Sequence, residues 1–173
     1  MNINRKAYAD LKWMPPALIS PRTSYVMQGE HTLATIHTLL PASRGADITI
    51  ENERLQIRPA TNLLKDGYIV TEIHGNIFGT FTPESNLFFP HGNFATTEGN
   101  DYRLSGGQPT DWAWSGKQGD IVTYEISKSL RLLKQPALSI CASIDDAPAT
   151  RITMFLGVFL ITTFAHPYAG GST

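Results

Sequence analysis

The sequence has a single cysteine, almost no net charge and no apolar run long enough to cross a membrane as a helix. Cys141 cannot form an internal disulfide, which fits a reducing compartment. The 14 basic and 15 acidic residues give a formal charge of −1, without the basic excess that nucleic-acid binding normally requires. The apolar stretch at residues 152–165 is shorter than the ~20 residues of a spanning helix. We therefore expect neither nucleic-acid binding nor a transmembrane protein.

The start of the chain also lacks the features of a secretory signal. In MNINRKAYADLKWMPPALIS, no apolar segment follows the basic residues, because Lys12, Pro15 and Pro16 interrupt the candidate region. A cytoplasmic location is the expectation.

Motifs that carry enzymatic chemistry are missing as well. The chain has no G-x-S-x-G, no glycine-rich phosphate loop and no compact metal motif. Cys141 lies in the apolar pattern ALSICASI, which predicts a packed thiol and not a nucleophile. Asp145 and Asp146 precede an apolar run and are explained more simply as helix caps than as an acid–base pair. We expect no enzymatic activity, no metal and no cofactor.

What the sequence does contain is a long series of short strands. Apolar and polar residues alternate in segments such as SYVMQ (24–28), ADITI (46–50) and DIVTYEIS (120–127). Turn signals recur about every eight to twelve residues, which is typical of a sandwich or barrel. We predict about ten to twelve strands within residues 24–142, preceded by an extended segment at 1–22, in one domain spanning 1–173.

The triplet His-Gly-Asn occurs twice, at His74-Gly75-Asn76 and at His91-Gly92-Asn93. Each lies between apolar runs, and Gly-Asn is frequent in two-residue hairpin turns. The alternative is a metal site shared with His31 or His37, but no carboxylate lies at a spacing from these histidines that is typical of a metal-binding motif. We predict that both triplets are turns.

Two tryptophans and their neighbouring glycines are a candidate ligand site. Trp112 and Trp114 are two residues apart in a strand pattern, so their side chains share one face. Paired aromatic rings can stack a ligand, but they are more often core residues, and we assign them to the core. Gly106-Gly107 and Gly116 are predicted to be loops.

The pattern changes after Ser143. Residues 148–165 are apolar on nearly every side, with Pro148 acceptable in a first helical turn and Pro167 as a stop. The segment is longer than a typical strand, although a central strand is the competing interpretation. A helix that is apolar all round must be surrounded by protein. A barrel of about twelve strands is wider than its own side chains can fill, so this helix is a suitable occupant of its interior.

At this point the chain resembles the tubby C-terminal-like superfamily, which includes the LURP-one-related proteins and the phospholipid scramblases. EIHGNIFGTF is similar to a recurring strand–turn–strand pattern of that superfamily. DWAWSGKQGDIVTYEISKSLRLLKQPALSICASIDD looks like a later repeat, and TRITMFLGVFLITTF resembles its apolar helix. The resemblance implies a mainly β fold: an antiparallel closed barrel of about twelve strands, with the hydrophobic C-terminal helix at 148–165 running through its interior.

The resemblance also implies a possible site for anionic lipid headgroups. Lys128, Arg131 and Lys134 lie close together in the sequence with no acidic residue among them, and Arg5, Lys6, Lys12 and Arg22 make the first 22 residues basic. The alternative explanation is that Lys128, Arg131 and Lys134 simply lie at the solvent-exposed end of a strand. Two functions remain open: a non-enzymatic cytoplasmic barrel that binds a protein partner or an anionic membrane surface, and a lipocalin-like barrel that holds a small apolar ligand.

Overall fold

The computed structural model describes residues 6–16, 19, 22–41, 44–61, 66–84, 91–108, 111–126, 138–144 and 148–165. These residues form twelve strands and one helix. The strands are β1 (Lys6–Met14), β2 (Thr23–Gln28), β3 (His31–Thr38), β4 (Ala46–Ile50), β5 (Glu53–Pro59), β6 (Tyr68–Glu72), β7 (Ile77–Pro83), β8 (Gly92–Thr96), β9 (Asp101–Gln108), β10 (Asp111–Gly116), β11 (Gly119–Ile126) and β12 (Leu138–Ile144).

The twelve strands form a closed antiparallel barrel, as predicted. Each strand pairs with its neighbours in the sequence, and β1 pairs with both β2 and β12 to complete the ring. The barrel was predicted to begin at residue 24, but residues 6–14, expected to be part of an extended segment, form its closing strand. Closure leaves no unpaired strand edge.

Strict alternation along the strands fills the interior with apolar side chains. In β4, for example, Ala46, Ile48 and Ile50 are buried, while Asp47 and Thr49 lie on the outer face. Trp112 and Trp114 both face inward and are buried, which confirms their assignment to the core. Tyr124 is buried and Glu125 is exposed, as two consecutive strand residues should be.

The C-terminal helix runs through this interior. Helix α1 spans Pro148–Leu160 and continues as one π-helical segment, Ile161–Ala165. Every residue from Ile152 to Leu160 is buried, so no face of that stretch meets solvent. The rings of Phe159 and the inward-facing Tyr68 meet edge to face, with centroids 5.3 Å apart. The apolar character of all sides of the helix is therefore matched by strands on all sides.

Antiparallel pairing divides the connections between the two ends of the barrel. The lower end carries the turns β2–β3, β4–β5, β6–β7, β8–β9 and β10–β11, and the start of α1. The upper end carries the other connections between strands and lies towards the π-helical segment. This division decides which distant parts of the sequence share a surface.

Candidate functional site: an apolar and basic upper end

Two buried hydroxyl groups bond to the backbone of the helix, one from the barrel wall and one from the helix itself. The Tyr124 hydroxyl donates a hydrogen bond to the Met154 carbonyl at 2.7 Å. Burial raises the pKa of this phenol well above its usual range, so the hydroxyl keeps its proton as a donor. The buried Thr153 hydroxyl donates to Thr150 O at 2.8 Å within the helix. These contacts are structural, and they leave neither hydroxyl directed at an open cavity.

The two histidines of the repeated triplet lie at opposite ends of β7. His74 is exposed in the β6–β7 turn, where Gly75 has a φ of 84°, so the first triplet is a turn as predicted. His91 precedes β8 at the upper end, and its ring lies 5.2 Å from the Trp112 ring between centroids. A seven-residue strand spans about 20 Å, too far for one metal ion. In the described part of the chain, no three His, Cys, Asp or Glu residues are arranged to hold a metal.

The second triplet lies beside the β7–β8 reversal, where Glu84 N donates to His91 O at 2.8 Å, but it does not form the turn itself, and that part of the prediction is wrong. Gly92 and Asn93 lie within β8, paired with β7 and β9. A Cβ atom at Gly92 would lie 2.5 Å from Phe81 Cζ, so the glycine is explained by close packing. Gly106 is likewise a strand residue, beneath the Trp112 ring, and not part of a loop.

Cys141 is exposed, which contradicts the prediction of a packed thiol. In β12 the inward positions belong to Leu138, Ile140 and Ala142, and Cys141 falls on the alternate, outer face. The apolar residues around Cys141 in the sequence suggested that it was buried.

The predicted headgroup residues Lys128, Arg131 and Lys134 lie outside the described residues, as do Asp145 and Asp146. Their assignments stay predictions. The strands that flank the three basic residues in the sequence, β11 and β12, pair with each other, and β12 also pairs with β1.

Exposed large apolar side chains gather at the upper end beside β1–β4. Met14 closes β1 and pairs with Tyr25 of β2, and both lie on the outer face. Ile19, in the β1–β2 connection, is 97% exposed, and Leu40, after β3, is 59% exposed. The described residues have six exposed large apolar side chains, and four of them lie at this end of the barrel: Met14, Ile19, Tyr25 and Leu40. Scattered exposed apolar residues need no explanation, but a grouping on one end of a barrel suggests a binding surface.

Basic side chains accompany these apolar residues. Lys12 is exposed next to Met14 on β1, and Arg22 and Arg44 are exposed before β2 and β4. Arg22 and the β3–β4 connection are adjacent, because Thr38 N donates to Arg22 O at 2.8 Å. Within the described ranges, none of the three cations has an ion-pair partner. We call these seven residues the upper patch: Lys12, Met14, Ile19, Arg22, Tyr25, Leu40 and Arg44.

One acidic side chain near the upper patch is neutralised. Among the side chains of β2–β4 that the structure describes at this end, the only exposed or half-exposed carboxylate is that of Asp47, and Arg58 forms a salt bridge with it. The same Arg58 donates to the Ala46 carbonyl at 2.9 Å. The patch therefore keeps the positive charge of its three free cations.

The lower end has the opposite charge. Its exposed acidic residues outnumber its exposed basic residues, Arg54 and Lys117, in the described chain. The acidic residues are Glu30, Glu51, Glu53, Glu72, Glu98, Asp101 and Asp120. The lower end is therefore acidic, whereas the described upper end carries carboxylates as well as cations: Asp66, Glu84, Asp111 and Glu125 lie there outside the upper patch.

A shallow open depression of about 530 Å³ lies on the outer wall across β9, β10 and β11. Asp111 and Glu125 line it and are directly paired across the two strands. Two carboxylates in this position repel each other and would also repel an anionic surface. This wall is therefore unsuited to the partner that the upper patch would attract.

No protein-family model, curated protein or solved structure matches this chain. The fold defines it as a closed twelve-stranded antiparallel barrel around a buried C-terminal helix. Its resemblance to the tubby-like superfamily stays a prediction. No described helix has the length and apolar character needed to span a membrane.

Lys12 and Arg22 were recognised in the sequence as part of a basic segment, but the apolar members of the patch were not predicted to form a surface with them. Met14, Ile19 and Leu40 stand in proline-containing segments with no periodic pattern. Only their shared place at the end of the barrel identifies them as one surface.

Proposed function

We propose that this protein is a cytoplasmic, non-enzymatic barrel that binds an anionic membrane surface through the upper patch. The observation that carries the proposal is the combination of four exposed apolar side chains with three unpaired cations at one end. Anionic headgroups attract the cations, and apolar side chains can enter the boundary between headgroups and acyl chains.

The magnitudes are sufficient for reversible binding. Each basic residue near an anionic surface contributes about 1 kcal/mol, so the three described cations supply about 3 kcal/mol. Burying one large aliphatic side chain contributes about 1.5–3 kcal/mol, and Ile19 and Leu40 are the two most exposed of the four. Neither contribution suffices alone, but together they support attachment that salt can weaken.

The occupied interior favours this function over the storage of a small apolar ligand. A lipocalin-like barrel needs an open lumen, whereas α1 lies where such a ligand would bind and contacts Tyr68 and Tyr124. An acidic protein partner could use the same patch, and the test below distinguishes it from a membrane.

Replacing Lys12, Arg22 and Arg44 together by Gln should remove most binding to phosphatidylserine-containing vesicles at low salt. The thermal midpoint should change little, because exposed charges contribute little to folding. Cosedimentation with phosphatidylcholine vesicles, with and without phosphatidylserine, measures the effect. For the wild type, binding should also weaken as salt is raised, since screening shortens the reach of charge to ~8 Å at physiological ionic strength.

Arg54→Gln combined with Lys117→Gln provides the matched control, because both residues are exposed cations of the lower end. This variant should bind like the wild type. Equal sedimentation of the wild type with neutral and anionic vesicles at low salt would refute the membrane proposal. Binding to an acidic protein, without binding to vesicles, would assign the patch to a protein partner.

Lys128, Arg131 and Lys134 give a separate prediction from the sequence. Replacing all three by Gln should further weaken vesicle binding if they contribute to the same surface. The expected change is a fall of up to about tenfold per residue, equivalent to ~1 kcal/mol each or slightly more. Unchanged sedimentation of this variant would confine the site to the upper patch.

A further inference from the structure

We infer that the barrel docks end-on, tilted onto the β1–β4 side of its upper end, with its acidic lower end directed into solvent. This inference rests on the proposed function and specifies how the surface is used. It follows from the position of the apolar side chains, from the acidic lower end, and from the exposed Asp111 and Glu125 elsewhere on the upper end, which a tilt towards β1–β4 keeps away from the membrane.

The most exposed apolar residues stand beyond the ends of the strands. Ile19 and Leu40 belong to connections at the upper end, whereas Met14 and Tyr25 lie on the wall just below it. A membrane plane across this end can contact all four. A plane along the wall of β1 and β2 would contact Met14 and Tyr25 but would extend down to the lower end.

The lower end makes that sideways position unfavourable. Directly below the upper patch, the β2–β3 and β4–β5 turns expose Glu30, Glu51 and Glu53. A barrel lying on this wall would bring their carboxylates close to anionic headgroups. Docked on the upper end, Glu30 is separated from the membrane by β3, whose eight residues extend about 26 Å along the strand, and Glu51 and Glu53 by β4, whose five residues extend about 16 Å. Even with the usual strand tilt of ~40°, both separations exceed the screening length of ~8 Å.

The lower end also exposes two isoleucines, Ile73 and Ile77, but these lie among acidic residues. Ile73 follows Glu72 in the chain, and Thr97, which precedes Glu98, donates to the Ile77 carbonyl at 3.4 Å. An anionic surface would be repelled there. Among the described residues, the β1–β4 side of the upper end is therefore the surface whose apolar residues and charge are both suited to the membrane.

Single-site labelling with an environment-sensitive fluorophore tests the orientation. The native Cys141 reports on the outer wall at mid-height. In a Cys141→Ser background, Leu40→Cys reports on the upper patch and Asn52→Cys on the lower end, where Asn52 is exposed in the β4–β5 turn. An apolar label at position 40 also substitutes for the lost leucine. Each labelled protein is mixed with phosphatidylcholine–phosphatidylserine vesicles that carry a nitroxide quencher near the headgroups.

The expected result is quenching and a blue shift for the label at position 40, with little change at positions 141 and 52. Equal quenching at positions 40 and 141 would show sideways docking and overturn this inference, while leaving membrane binding intact. Quenching greatest at position 52 would reverse the orientation. If the wild type does not cosediment with these vesicles, the proposed function fails and the orientation with it.

Neutralising the lower end gives a second measurement. Glu30→Gln combined with Glu51→Gln should change the vesicle affinity less than about twofold if the barrel stands end-on, because both residues then lie beyond the screening length. Sideways docking would instead make this variant bind several-fold more tightly. The same variant should retain the thermal midpoint of the wild type, since both side chains are exposed.

Discussion

A chain that ends at residue 147 is expected to lose the cooperative unfolding transition of the full-length protein. Removing α1 removes the side chains against which the inward faces of the strands pack, including Phe155, Phe159 and Met154, all completely buried. A twelve-stranded ring is too wide for its own side chains to fill. The remaining lumen would expose apolar surface to water or collapse into an irregular packing.

Urea unfolding, followed by tryptophan fluorescence and circular dichroism, measures this loss. In the truncated chain we expect a broad, weakly cooperative change and an emission maximum shifted towards that of exposed tryptophan, because Trp114 packs against the helix. Full-length Phe159→Ala is the graded control: it should stay cooperative but lose about 3–5 kcal/mol of unfolding free energy. A sharp transition in the truncated chain, with native emission, would contradict an interior helix.

Gly157→Ala is expected to destabilise the protein, although alanine favours a helix by about 1 kcal/mol over glycine. A Cβ atom at this position would overlap the Tyr124 hydroxyl and lie 2.5 Å from Trp114 Nε1. Tyr124 cannot withdraw freely, because its hydroxyl donates to Met154 O. We expect a net loss of about 1–3 kcal/mol, the usual cost of overpacking.

Tyr124→Phe tests whether that collision is the cause. Alone, it should cost about 0.5–1.5 kcal/mol for the lost hydrogen bond. Combined with Gly157→Ala, it removes the overlapping oxygen, so the double variant should be more stable than the sum of the two single effects predicts. Additive losses in this double-mutant cycle, measured by urea unfolding, would show that the glycine is required for another reason.

The local patterns of the sequence were sufficient for much of the fold. Alternation identified β2–β7, β10, β11 and β12 to within a few residues, because each places apolar side chains on one face. The helix was predicted from its apolar character on all sides. Strand β1 was missed because its pairing with β12 shifts register between Tyr8 and Leu11, a bulge that interrupts the alternation.

Other errors arose where packing decided the role of a residue. Gly92 and Gly106 look like turn glycines in the sequence, but a neighbouring aromatic ring occupies the space of the missing side chain. Cys141 looked buried because its neighbours include apolar residues, yet its position in β12 turns it outward. The few residues on either side of a position do not show whether a distant aromatic ring packs against it, nor whether its side chain faces the inside or the outside of the barrel.

By itself, the sequence determined that this chain is rich in β-strands and carries one helix that is apolar on nearly every side, since both properties follow from local periodicity. Tertiary structure alone decided which residues form the candidate surface. Met14, Arg22, Leu40 and Arg44 belong to different segments, and they meet because antiparallel closure brings the ends of β1, β2, β3 and β4 to the same side of the barrel. The acidic lower end has the same physical origin, because successive connections alternate between the two ends and bring Glu30, Glu51 and Glu98 to the same one.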